Sequence, residues 1–403
     1  MVVHLNRKLV VKIIFLLYLV FFVMSYVGGT WVYANSKYGM MPRYTSTVNN
    51  LRLLYLVLTI MLGVYEMIIQ FKLNRISSID KVLILIFFAV ALYKLVDVSS
   101  LTDVQTLLFE SGTPMMYIVF LVYFIGMDEK MDHVLLQISK IYGLIFLTLC
   151  VFYFLMFCFD VGYSFGIRFS SSPILYSFNN GFFMTIYALY REKKFNNRAF
   201  WRTILFLMVF SAFITTSRGW IVQTMIAVMM YFILQKRGRR VIKNILKAVG
   251  AVIAILLIIR LTSPDLMNSL IGRLGESTRS SQLETFFEQV SISDLISGLG
   301  YNASYRYLNW SNFQFIDNQV IFSCFRYGML ITALLLYFML KPILISLSKE
   351  KIKLFQSMGI GHFILAMLGL SIYFTLSIDV CCLISYMLAG RMYSDVLMHR
   401  NED

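Results

Sequence analysis

The 403-residue chain has little charge: Asp, Glu, Lys and Arg make up 14% of it. Soluble domains carry about a quarter, so an ordinary aqueous globule is excluded. Also missing are the short alternating segments of a transmembrane β-barrel. The five cysteines (Cys150, Cys158, Cys324, Cys381 and Cys382) lie in apolar runs, with no CxxC spacing and no histidine nearby. They read as small core residues, not as a metal site or disulfide framework. No internal repeat or low-complexity stretch divides the chain, so residues 1–403 read as one integral membrane domain.

Hydrophobic residues make up 59% of the sequence, in runs near the length that crosses a bilayer. About 20 apolar residues suffice for one crossing, and helices are the default spanning element. The expected fold is all-α, a polytopic helical bundle. Twelve apolar runs stand out: 9–28, 51–71, 81–97, 105–126, 135–158, 173–190, 200–216, 219–235, 241–261, 318–341, 354–376 and 378–392. The last is short enough to be re-entrant. The first follows Arg7 and Lys8 and precedes Val32-Tyr33-Ala34, like a signal peptide. It exceeds the roughly 7–15 residues of a signal h-region, so it reads as a retained helix.

The net charge of +15 could suggest nucleic acid, but its distribution indicates orientation. With the N-terminus inside, the inner segments and flanking helix ends hold 25 of the 36 Lys and Arg residues. Cytoplasmic loops carry that excess. The expected topology is N-in and C-in, with the basic stretches 191–202 and 235–247 facing the cytoplasm and no nucleic-acid partner.

This topology places Ser217-Arg218-Gly219 at the outer tip of a tight hairpin. Charge at that depth is costly and calls for a partner, although a snorkelling arginine also suits the position. Most outer loops are short; residues 262–316 form one of 55 residues. Ser263-Pro264 reads as a helix start, and Ser281 with Glu284 has capping-box spacing. Two short amphipathic helices on the membrane are expected, then an irregular stretch rich in Gly, Asn and aromatics. The loop's Arg273, Arg279 and Arg306 stand among acids. Such arginines make forked anion contacts or plain salt bridges. Tyr301, Tyr305, Tyr307, Trp310, Phe313 and Phe315 suit an interfacial belt or a platform for sugar rings, with Asn302, Asn309 and Asn312 as hydroxyl partners.

The order of these pieces resembles the O-antigen and capsular repeat-unit polymerases and the related O-antigen ligases. The resemblance covers roughly residues 200–341 and rests on "TTSRG" (215–219), Arg273 and Arg279, "SGLGYN" (297–302) and "DNQVIFSCFRYGML" (317–330). Asp317 stands where the ligases usually carry histidine, and the long loop has no histidine, which disfavours the ligase reading.

The resemblance implies an enzyme of the bacterial cytoplasmic membrane that joins undecaprenyl-pyrophosphate-linked oligosaccharides at the outer face. It implies no cofactor or metal, and partners in the membrane lipids and in a chain-length regulator and flippase of the same pathway. Arg218, Arg273, Arg279 and Arg326 are candidates for the pyrophosphate. Asp317, with Glu276 behind it, is the candidate base. Arg306, Tyr301, Asn302, Trp310 and Asn318 are candidates for the glycan.

An oligosaccharide-lipid flippase is the main rival, since about twelve spans suit it too. A flippase, however, needs two related halves and a charged central cavity. A scaffold leaves the arginines without a role. Lys94 and Asp97 read as a mutual pair, and Glu66 as an interhelical contact.

Overall fold

The computed structural model describes residues 6–34, 37–96, 116–162, 168–169, 172–192, 195–234, 250, 260–261, 278–300, 303–314, 316, 318–347 and 380–400. They are mostly helical. Helix α1 (Arg7–Tyr26) leads to a hairpin of β1 (Thr30–Ala34) and β2 (Lys37–Met41), then α2 (Ser46–Lys72) and α3 (Ser78–Val96). After α4 (Met116–Met127) and α5 (Glu129–Asp160) come the two-residue strand β3 (Arg168–Phe169) and α6 (Pro173–Arg191). The tight pair α7 (Arg198–Ile214) and α8 (Arg218–Leu234) follows. Beyond it lie α9 (Thr278–Phe287), α10 (Ile292–Ser297), β4 (Tyr305–Tyr307), β5 (Trp310–Phe313), α11 (Gln319–Tyr327), α12 (Met329–Leu347) and α13 (Val380–Arg400).

Three described helices (α1, α2 and α5) are long and apolar enough to cross a membrane, and shorter apolar segments lie at Gly219–Met229 and Met329–Pro342. The runs expected at 241–261 and 354–376 fall almost wholly outside the described residues, as do Asp97 and the side chain of Lys94. The last helix, with 21 residues, is longer than its apolar run.

Helix α6 is the hub. Ser172 caps it by accepting the Leu175 N–H at 3.4 Å, with Pro173 in its first turn. Every residue from Pro173 to Tyr190 except Tyr176 is buried. Helices α1 and α5 run parallel, joined by rings: Phe15 on Tyr142 at 5.9 Å and Phe22 on Tyr153 at 6.4 Å. Helices α1 and α2 run antiparallel, with Tyr18 edge-on to Tyr55 at 5.6 Å. In lipid such contacts hold helices together by dispersion and close fit more than by hydrophobic burial.

Helices α4 and α13 approach so closely that a Cβ on Gly126 would strike the Met387 carbonyl and one on Gly390 the Tyr123 carbonyl. Small residues let backbones meet in this way. The pairing order, 126 with 387 and 123 with 390, is antiparallel. On α13 itself, Arg391 forms a buried ion pair with Asp395 (2.6 Å).

The all-α expectation also omits two small sheets. Strands β1, β2 and β3 form one, seated on α5, where Trp31, Tyr38 and Phe169 meet Phe157 at 5.0, 5.1 and 4.9 Å. The β4–β5 hairpin forms the other. It joins α9, α10 and α11 in a second hydrophobic core around Phe286, Val290, Tyr305, Phe322 and Phe325, separate from the core of the bundle.

Candidate functional site

The run expected as a single span over 318–341 is two helices. Asn318 starts α11: its Oδ1 accepts the N–H groups of Val320 (3.1 Å) and Ile321 (3.2 Å). The chain breaks after nine helical residues at Gly328, whose φ of +87° suits glycine. The candidate glycan ligand Asn318 therefore spends its carbonyl on a helix cap.

Gly328 sits against Gly298, which has a φ of +74°. A Cβ at Gly328 would lie 2.7 Å from the Ser297 carbonyl oxygen and 2.9 Å from that of Ile296. The next residues bond across the contact: Leu299 N–H donates to the Phe325 carbonyl (2.8 Å) and Gly300 N–H to that of Arg326 (3.0 Å). The two glycine-bearing motifs, 30 residues apart from Gly298 to Gly328, thus form one backbone junction.

Arg326 lies in the last turn of α11 and is 3% exposed. Its Nη2 donates weakly to the carbonyl and side-chain oxygens of Gln314 (3.4 and 3.3 Å), and its guanidinium lies 4.6 Å from the centre of the Phe322 ring. Its Nε has no partner. Among the described residues no carboxylate pairs with it. A cation–π contact and a helix C-terminus offset part of the burial, but neither supplies a counter-charge.

The segment from α9 to β5 builds the wall around this arginine. Tyr305 is buried, accepts from Gln282 Nε2 at 3.0 Å, and meets Phe286 at 5.1 Å. Phe313 packs on Tyr305 at 5.7 Å. These rings are core and not a sugar platform. Trp310 remains open at 59% exposure, near Leu308 at the hairpin tip. Arg306 points its exposed side chain outward, while its backbone is bracketed by Gln289, which donates to its carbonyl (2.8 Å) and accepts from its N–H (2.9 Å).

The expected Ser281 cap is not used, because α9 already begins at Thr278. The reciprocal box forms instead at Ser291 and Asp294, where the carboxylate accepts the Ser291 hydroxyl (2.6 Å) and N–H (2.9 Å). Those bonds hold the Asp294 carboxyl below the usual carboxylate range.

Helix α7 ends at Ile214, Thr216 turns with a φ of +53°, and α8 begins at Arg218, so "TTSRG" is a hairpin tip. The side chains of Arg218 and Arg279, and all of Arg273, Glu276, Tyr301, Asn302, Phe315 and Asp317, lie outside the described residues. Of the candidate site residues, the described structure gathers Arg326 and Asn318 on α11 and Arg306 and Trp310 on the adjoining hairpin.

The sequence reading missed an ionic layer at the other end of the bundle. Arg7 bonds Glu66 (2.7 Å) and Asp128 (2.8 Å), which makes Glu66 the interhelical contact expected of it. Arg191 forks onto Asp132 at 2.6 Å and reaches Asp395 at 2.6 Å. Buried Asp80 accepts from Lys341, Tyr337 (3.1 Å) and Tyr393 (2.7 Å). Acids at helix starts (Asp80, Asp128, Asp132) were the available signal. Lys341 is twelve residues along α12 from Met329, or about 18 Å at helical rise. Arg326 therefore lies away from the ionic layer. Comparison with protein-family models, with characterised proteins and with solved structures found no match to this chain.

Proposed function

We propose that this protein is a lipid-linked glycan polymerase of the bacterial cytoplasmic membrane. In this reading it moves a growing glycan from undecaprenyl pyrophosphate onto the terminal hydroxyl of a second lipid-linked repeat unit at the outer face. About twelve spans carry the site, with the N-terminus inside. The observation that carries the reading is Arg326, a buried cation without a carboxylate partner among the described residues. An unpaired charge out of water is costly unless an anion arrives. Intramembrane charges of this kind mark substrate sites by default.

A departing pyrophosphate is such an anion. The bond from the sugar's anomeric carbon to the pyrophosphate oxygen breaks, and its electron pair leaves with the lipid. The acceptor oxygen bonds the same carbon from the opposite face and loses its proton to Asp317, with Glu276 as the second candidate. Arg326, Arg218, Arg273 and Arg279 stabilise the charge that builds on the leaving group. Arg306, Trp310, Tyr301, Asn302 and Asn318 are assigned to the glycan. No pair of related halves divides the sequence, which disfavours a flippase.

The test is purified protein in lipid nanodiscs with undecaprenyl-pyrophosphate-linked repeat units, read as a ladder on a gel. Losing one charge contact to the leaving group costs ~3 kcal/mol, or about a hundredfold in rate. Arg326→Gln is expected to lose that much without a lower unfolding temperature. A full ladder from Arg326→Gln sinks the reading.

A further inference from the structure

Among the described residues three amide side chains inside the bundle have nothing to bond: Gln70 of α2, and a pair on neighbouring helices. Asn179 in α6 and Gln223 in α8 are 0% exposed, and neither the nitrogen nor the oxygen of either has a partner. The buried hydroxyl of Thr224 is equally unpaired. Asn179, Gln223 and Thr224 belong to one seam. Trp220 of α8 packs edge-on against Phe178, Phe182 and Phe183 of α6, with ring centroids 5.1, 5.1 and 6.0 Å away. At about 100° per residue, Asn179 falls between Phe182 and Phe183 around α6. On α8, Gln223 and Thr224 flank the face of Trp220 one turn further in. Asn179 lies about 9 Å along α6 from Pro173, and Gln223 about 8 Å along α8 from Arg218.

Buried polar atoms are nearly always satisfied, and in lipid there is no water to do it. Solvent does not reach these three in the closed seam. We propose that the α6–α8 seam is a sugar-binding element. It opens at the Trp220 clasp and presents Asn179, Gln223 and Thr224 to the hydroxyls of a neutral sugar. Amides and a hydroxyl offer donors and acceptors without charge. That set matches sugar hydroxyls and does not match a pyrophosphate, for which arginines are better suited. The assignment of the sugar to a lipid-linked repeat unit rests on the polymerase reading; sugar recognition by the seam does not.

The double variant Asn179→Leu, Gln223→Leu separates binding from packing. It removes four unpaired atoms, so the unfolding temperature is expected to hold or rise, while polymer yield falls about tenfold, as loss of two hydrogen-bonding groups implies. Full polymer from this variant overturns the proposal. Binding is read without catalysis from Trp220 fluorescence, after Trp31→Phe, Trp201→Phe and Trp310→Phe. Dodecyl maltoside is expected to give a saturable emission shift that dodecyl phosphocholine does not, and the double variant is expected to lack it. An equal shift with both probes, or one that survives in the double variant, overturns the proposal. A maltoside-specific shift in a protein that builds no ladder supports the seam and sinks the polymerase reading.

Discussion

Replacing Gly328 by alanine adds one methyl group where two constraints meet. The backbone there has a φ of +87° and a ψ of 163°, a region essentially confined to glycine that costs an L-residue about 1–3 kcal/mol. The new Cβ would also lie 2.7 and 2.9 Å from the carbonyl oxygens of Ser297 and Ile296. Those are backbone atoms beside the Leu299–Phe325 and Gly300–Arg326 hydrogen bonds (2.8 and 3.0 Å), so they have little room to retreat. Overpacking of this sort costs about 1–3 kcal/mol. Together the two effects amount to roughly 3 kcal/mol, about a hundredfold in the opening equilibrium of the junction. Hydrogen exchange followed by mass spectrometry reads that equilibrium at the amides of Leu299 and Gly300. Both should exchange about a hundredfold faster in Gly328→Ala. Gly300→Ala is an internal comparison, since its φ is +89° but nothing lies within 4 Å of its Cβ. It should show the smaller, conformational part alone. Unchanged protection in Gly328→Ala would refute the close-contact argument.

Other expectations concern the bundle and the loop. Asp80→Ala leaves Lys341, Tyr337 and Tyr393 without their shared acceptor. Breaking such a buried pair costs about 3–5 kcal/mol, measurable as a lower denaturation midpoint; a loss below about 1 kcal/mol would mean that the pair behaves as if exposed. Gly126→Ala should weaken the α4–α13 contact by about 1–3 kcal/mol, and a variant that melts with the parent would show that the helices can separate freely. Asp294 has a depressed folded pKa because of its bonds from Ser291. The stability of that box is therefore present above the ordinary carboxylate value of about 4 and lost as pH falls through the folded one. Exchange at the start of α10 should quicken only in that acid window, and Asp294→Asn should abolish the pH dependence.

Helices were legible wherever apolar length and a cap agreed, as at Ser172-Pro173 before α6. The Ser217-Arg218-Gly219 tip was legible because two apolar runs leave only a turn between them. The break at Gly328 was not, since hydropathy averaged over a span hides a single residue, and its cause is a contact with Gly298. Strands β1 and β2 are rich in Trp, Tyr and Met, which read as interfacial apolar sequence until Phe157 gives them a surface to pack on. The capping box was expected at Ser281. Ser281 lies inside α9 instead, and a reciprocal box forms at Ser291 ahead of α10. The ionic layer depends on which acid meets which base across three or more helices. Spacing along one chain does not encode that choice, so Arg191 read as an orientation charge although it holds Asp132 and Asp395.

The division at Gly328 decides which body owns the guanidinium. Helix α11 sets Phe322 and Phe325 in the smaller core, whereas α12, from Ile331 onward, belongs to the bundle, and Tyr327 beside Gly328 already packs with it. A pivot about that single swivel residue would swing the cation with the smaller core only once the Ser323–Thr332 hydroxyl bond (2.9 Å) lets go.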